Sequence, residues 1–142
     1  MSKMKYVAVV ALAGIAILAL AACQRADSAA SDPLDGTSWV LMAYRKTSPI
    51  SGTTITATFE DGQVRGSAGC NSYSGSYQVS GDTITVGAVA ITEMACLEPE
   101  GVMEQELLFV EFLTDAQTFR LADGQLQTFR PDGEALTFVP QD

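Results

Sequence analysis

The chain contains no histidine among its 142 residues. That absence removes the Ser-His-Asp triad, the Cys-His pair and the commonest zinc ligand together. Basic residues are scarce too: 8 Lys and Arg stand against 17 Asp and Glu, a formal charge of −9. No basic patch or stripe is visible, and a surface of this sign repels phosphate backbones, which excludes nucleic-acid partners. The 3 cysteines lack CxxC spacing, which argues against a redox or metal role. Asp61, Asp82, Asp123 and Asp132 each adjoin a glycine in predicted turns and form no EF-hand-like series, which argues against calcium. With no catalytic set and no cofactor motif, the composition points to a binding or structural protein rather than an enzyme.

What is present begins with a targeting pattern. Lys3 and Lys5 form a basic start, and Val7–Ala22 is an uncharged run of about 16 residues. That run is shorter than the roughly 18–20 residues a spanning helix needs. It ends in Leu20-Ala21-Ala22-Cys23, which resembles the bacterial lipobox. The reading is a lipoprotein signal peptide over residues 1–22, with Cys23 acylated (palmitate among the chains) as the membrane anchor. An uncleaved signal anchor is the plainer alternative, and it leaves Cys23 unexplained. Cleavage would remove two of the eight basic residues, leaving 6 against 17 acidic ones, a net charge of −11. Anionic head groups would repel such a surface, so attachment falls to the acyl chains, several of which anchor stably. Gln24 follows Cys23 where an aspartate would resemble an inner-membrane retention signal. The location implied is the cell envelope, on the periplasmic face of the outer membrane if the source has one. Residues 23–33 carry the acylated cysteine and a small, polar, Pro-terminated linker.

One domain follows over residues 34–139. Gly36–Tyr44 is rich in β-formers and apolar on both phases from Trp39, as in a strand covered on both faces. Thr53–Phe59 alternates, with Ile55, Ala57 and Phe59 inward and threonines outward. Glu60-Asp61-Gly62 turns the chain into a strand at Gln63–Ala68. Alternation at Tyr77 and Val79 predicts another strand, Thr83–Val86 a further one, and Val89–Ile91 a separate short one. The spacing of Val102, Glu106, Phe109, Val110 and Leu113 predicts a helix from Pro99 to about Asp115. Leu108 and Phe112 widen its apolar arc, so sheet should hold it on more than one side. Thr118–Leu121, Gln125–Arg130 and Ala135–Val139 complete the β runs. The fold class is mainly β (α+β): a barrel or strongly curved antiparallel sheet wrapped against one inserted helix.

The stretch Gly66–Tyr77 reads as a sharply turned strand-to-strand connection carrying Cys70. Cys96 is the one partner downstream, and outside the cytoplasm two such cysteines normally oxidise. Closing a loop of about 25 residues would restrict the unfolded chain by roughly 3–4 kcal/mol. Free buried thiols are the alternative. Glu106 on the apolar helix face is either a poised carboxylate or one hydrogen-bonded by nearby backbone and hydroxyls. Tyr77 reads as core and Tyr73 as half exposed, unless both present an aromatic contact surface.

Gly36-Thr37-x-Trp39, the run Gly66-Ser67-Ala68-Gly69-Cys70-Asn71-x-Tyr73-x-Gly75-x-Tyr77, Thr92-x-Met94-Ala95-Cys96 and Glu106-x-x-Phe109-Val110-x-x-Leu113 together resemble the META domain of HslJ-like bacterial lipoproteins. The likeness covers about Leu34 to Val139. It implies a cracked barrel, similar to a lipid-binding pilotin of type III secretion, and a link to heat-shock and drug tolerance. It implies structural rather than catalytic duty for Trp39, Gly66, Gly69, Asn71, Tyr73, Gly75, Tyr77, Met94, Glu106, Phe109 and Leu113. Glu93 departs from the pattern, where relatives commonly carry a basic or neutral residue. No cofactor follows from it. The partner expected is another envelope protein; the alternatives are an apolar ligand or acyl chain in the barrel, or a cell-wall hydrolase to be inhibited.

Overall fold

The structure, a computed structural model, describes residues 31–142. The expected leader 1–22, Cys23 and linker residues 24–30 lie outside the described residues. Eight antiparallel strands follow one another around a closed barrel: β1 Thr37–Tyr44, β2 Thr56–Glu60, β3 Gln63–Ser67, β4 Ser72–Ser80, β5 Thr83–Ile91, β6 Thr118–Ala122, β7 Gln125–Phe129 and β8 Ala135–Pro140. One helix, α1 Val102–Thr114, stands between β5 and β6. The α+β barrel expected from alternation and turns is the fold observed.

Alternation decides which side chains enter the barrel. In β2, Ala57 and Phe59 are buried while Thr56 and Thr58 remain partly exposed. The β2–β3 and β6–β7 hairpins turn at Asp61 and Asp123, which adopt positive φ of 51° and 54° ahead of a glycine. Both central residues at positive φ match the twist of the flanking strands. Asp132 serves its turn differently, its Oδ1 accepting the Glu134 N–H at 2.9 Å.

Two local expectations are corrected. Thr83–Val86 and Val89–Ile91 are one strand, not two, because Gly87 and Ala88 together oppose Ser76 in a bulge that keeps the ladder with β4 running. The helix begins at Val102 rather than Pro99. Pro99 lies in the turn before it, its carbonyl accepting the Val102 N–H at 3.1 Å, and left-handed Gly101 occupies the N-cap. A residue with φ of 83° cannot continue a right-handed helix backward, so the boundary falls there.

The barrel seam lies between β5 and β6. Their ladder consists of the single pair Thr83↔Thr118, flanked by Ile84 N–H to the Gln117 carbonyl and Phe119 N–H to the Asp82 carbonyl. Beyond it the strands part and α1 packs beside β5, with further contact to β8. Phe109, Phe112 and Leu113 thereby join Phe59, Ile55, Leu126, Leu136 and Phe138 in one core. Val110, placed inward by the spacing, is only partly buried. Phe112 caps this core under two guanidinium groups, those of Arg130 at 4.5 Å and Arg45 at 5.4 Å from the ring centre.

Candidate functional site

The polar centre of the molecule forms where the β3–β4 connection meets the helix. The connection is tighter than the glycine content suggests: Gly66 belongs to β3 and Gly75 to β4, leaving Ala68–Asn71 to make the turn. Gly66 is required by proximity, since a Cβ there would lie 2.2 Å from the Thr56 carbonyl oxygen. Gly69 is required by conformation, with φ of 118°.

Cys70 is bonded to Cys96, with their Cα atoms 6.1 Å apart. The next residue, Asn71, uses its whole side-chain amide. Nδ2 donates to the Glu106 Oε1 at 2.8 Å and to the Met94 carbonyl at 3.1 Å, while Oδ1 accepts from Thr92 Oγ1 and from the Met94 N–H, both at 2.8 Å. Two donors and two acceptors are all that an asparagine carries. Its backbone is bonded as well, N–H to the Glu106 Oε2 at 2.6 Å and carbonyl from the Ala68 N–H at 2.7 Å. This one side chain ties β4, the loop after β5 and the helix together.

Glu106 answers from α1. It sits four residues after Val102 and three before Phe109, on the face the helix turns inward, and is 4 % exposed. A buried carboxylate is costly unless hydrogen bonds replace its water. Three donors do so: the Asn71 N–H, the Asn71 amide and, at 3.3 Å, the Cys70 N–H. Of the two readings open for Glu106, the hydrogen-bonded one describes the geometry. Gln105 extends the joint, its Oε1 accepting the Ile50 N–H at 2.6 Å and its Nε2 donating to Thr53 Oγ1 at 3.0 Å.

The remaining predicted residues divide between this joint and a second cluster. Tyr73, expected half exposed, is 3 % exposed: its ring lies edge-on to Phe109 at 5.3 Å and its hydroxyl donates to the Thr56 carbonyl at 2.8 Å. The correction follows from its place in β4, where residues alternate inward and Tyr73 shares a phase with Gly75 and Tyr77. Met94 is held through its backbone and leaves its side chain exposed. Phe109 and Leu113 are core. Trp39 and Tyr77 belong elsewhere, with the N-terminal segment. Trp39 Nε1 donates to Thr37 Oγ1 at 2.8 Å, whose hydroxyl donates to the Leu34 carbonyl at 2.5 Å. Tyr77 donates to Asp32 Oδ2 at 2.5 Å, and Asp32 Oδ1 accepts the Leu34 N–H at 2.8 Å. Burial raises both phenol pKa values above the ordinary tyrosine range, and Asp32 raises that of Tyr77 further. Asp32 thus links the barrel wall at Tyr77 to the backbone of Leu34.

Sequence reasoning missed Gln105, Thr92 and Asp32. Gln105 had a signal, as a polar residue three positions after Val102 on an apolar face. Thr92 had one as the first residue of the Thr92-x-Met94-Ala95-Cys96 motif, whereas Asp32 had none, because its partner Tyr77 is distant in the chain. Among the described residues, no group of three or more His, Cys, Asp or Glu is placed to hold a metal ion.

Comparison with known proteins places this arrangement. The model of the META domain family matches residues 32–142. Among solved structures, the chain is similar to a protein from Burkholderia xenovorans determined by NMR, at 30 % identity and a TM-score of 0.63, covering 76 % of this chain and 83 % of that one. A second NMR structure is similar at 23 % identity and a TM-score of 0.61, covering 75 % and 91 %. A crystal structure of a DUF4847 family protein from Bacteroides vulgatus shares the fold at 15 % identity and a TM-score of 0.54, covering 77 % and 96 %. No curated protein matches. The family match spans the whole barrel, both tyrosines, the disulfide and the Asn71–Glu106 joint, and the chain belongs to the META domain family.

Proposed function

We propose that this chain is a non-enzymatic cell-envelope lipoprotein, anchored through acyl chains on Cys23, whose META barrel contacts another envelope protein under stress or drug exposure. The observation that carries the reading is the closed polar joint. Asn71 and Glu106 turn their hydrogen-bonding groups on one another and on Met94, Thr92 and Cys70, an arrangement suited to holding a surface rigid. The lipobox-like Leu20-Ala21-Ala22-Cys23 and the acidic balance support the envelope setting.

The alternative of an apolar-ligand carrier draws less support. Phe109 packs on Tyr73, and Phe112 lies under Arg45 and Arg130, so the rings that would border a ligand fill the interior themselves. A groove of about 750 Å³ opens on the outer wall, beside Met42, Arg45, Gln127 and Thr137. Inhibition of a basic wall hydrolase is favoured by charge alone, and salt-dependent binding to lysozyme is its assay.

Metabolic labelling with palmitate, in wild type and Cys23→Ser, tests the anchor. Labelled, membrane-associated protein that becomes unlabelled in the variant is expected; an unlabelled wild type overturns it. In-cell crosslinking together with a deletion strain tests the contact role. An identified partner and reduced tolerance to heat or drug are expected. Unchanged tolerance with no crosslinked partner overturns the role.

A further inference from the structure

Between Arg65 and Arg120 the chain has no lysine or arginine, yet it carries Asp82, Glu93, Glu98, Glu100, Glu104, Glu106, Glu111 and Asp115. Only Glu106 among these is buried. Four of the exposed ones, Glu93, Glu98, Glu100 and Glu104, lie in the loop after β5 and at the start of α1. Glu104 complements the helix dipole from the first turn, which accounts for one of the four. The side chains of Glu93, Glu98 and Glu100 make no salt bridge among the described residues.

The same region exposes large apolar side chains. Leu97 is 86 % exposed, Leu107 72 % and Met94 56 %, three of the five exposed large hydrophobics among the described residues. Exposed apolar residues scattered singly are ordinary, but these sit around one joint. The Met94 carbonyl and the Glu106 carboxylate share the Asn71 Nδ2, which places the loop against the helix. Leu97 adjoins Cys96, whose disulfide partner Cys70 points its N–H at Glu106. Leu107 follows Glu106 about 100° round the helix, on its solvent side. The loop is not loose: two hydrogen bonds at the Met94 backbone, the Thr92 N–H donated to the Ser72 carbonyl and the disulfide hold it, while its apolar side chains face water. A surface ordered before binding has less conformational entropy to lose when a partner docks.

We propose that the loop Thr92–Pro99 and the outer face of α1 form a docking surface for a basic, amphipathic protein segment, whose apolar side covers Met94, Leu97 and Leu107 and whose Lys or Arg residues meet Glu93, Glu98, Glu100 and Glu104. Charge complementarity selects this occupant. Arg130 pairs with Glu111 and Asp115 at the far end of α1, and no salt bridge among the described residues reaches Glu93, Glu98, Glu100 or Glu104. An apolar centre with this carboxylate rim disfavours acidic partners, anionic lipid and a second copy of this equally acidic surface. Methionine and leucine at the centre suit a helical partner whose side chains must be accommodated. The inference rests on the protein-contact reading above and names the partner's chemistry and the face that receives it.

Titration of the full-length chain carrying Cys23→Ser, followed by amide NMR shifts, tests it. The probes are an 18-residue Lys/Leu peptide with leucines on one helical face, an all-lysine peptide of equal charge, and phosphatidylcholine vesicles. The expected result is micromolar binding of the Lys/Leu peptide, with shifts confined to residues 92–107. Leu97→Ser with Leu107→Ser should weaken it at least tenfold at an unchanged melting temperature. Glu98→Gln with Glu100→Gln should weaken it severalfold and flatten its salt dependence, whereas Leu121→Ser with Asp123→Asn should leave it unaltered. Equal binding of the all-lysine peptide, shifts elsewhere on the barrel, preference for vesicles, or shifts that appear on concentrating the protein alone would each overturn it. The palmitate experiment reports on the anchor separately, so either reading can fail without the other.

Discussion

Asn71 sits at 1 % exposure with every side-chain hydrogen bond made, and its environment leaves no substitute. Aspartate has the shape but would set a second carboxylate against Glu106. Alanine would strand the Met94 N–H and carbonyl. Glu106→Ala leaves the two N–H groups of Cys70 and Asn71 and the Asn71 amide without their acceptor. At about 1–3 kcal/mol for each unsatisfied buried group, urea denaturation should show a loss of at least about 3 kcal/mol for Glu106→Ala. Glu106→Gln keeps one acceptor oxygen and should lose about 1–3 kcal/mol. Equal midpoints for all three proteins would show the joint to be ornamental. Gly66→Ala is a separate steric case, because its Cβ meets the Thr56 backbone carbonyl, which cannot rotate away. A loss of about 1–3 kcal/mol is expected, as for overpacking in a core.

At the scale of elements, the helix closes what the strands leave open. β5 and β6 share one ladder pair, so the wall at that seam depends on α1 and on what fastens its first turns. Three devices do this: the Asn71–Glu106 hydrogen bonds, the Gln105 bonds to Ile50 and Thr53, and the Cys70–Cys96 bond across 26 residues. Reduction should lower stability by about 3–4 kcal/mol in the chain-entropy picture. Hydrogen exchange should then quicken first in residues 68–71 and 92–98, with β7 and β8 protected longest. Uniform exchange throughout would mean the disulfide fastens nothing locally. Phe109→Ala removes a ring held by Tyr73 and the barrel core. It should cost about 3–5 kcal/mol, measured by the same denaturation.

For the molecule as a whole, two phenols buried in one strand set an alkaline limit. Tyr73 and Tyr77 have pKa values raised by burial, so the folded chain keeps protons that the unfolded chain releases near pH 10. Stability is therefore whole below about pH 10 and declines above it, approaching about 1.4 kcal/mol per pH unit for each phenol. Melting temperatures from pH 8 to 11.5 should show the fall, and Tyr77→Phe should make it shallower. A flat profile would contradict the burial-driven shift. Tyr77→Phe also removes the hydrogen bond from the barrel wall to Asp32, which keeps its bond to the Leu34 N–H.

Features written in neighbouring residues were legible early. Alternation at Ile55, Ala57 and Phe59, the Asp-Gly turns, and the helical spacing of Val102, Glu106, Phe109 and Leu113 all depend on local period or local chemistry. Where local signals misled, the chain's neighbours in space explain it. Ser76 lets Gly87 and Ala88 bulge within one strand, and left-handed Gly101 starts the helix late. Asn71 meets Glu106 across 35 residues, and Tyr77 meets Asp32 across 45. Those pairings depend on strand register and barrel closure, which are properties of the packed chain as a unit. A sequence records that Glu106 lies on an apolar face; only closure brings three donors to it and turns an exposed carboxylate's chemistry into a fastening.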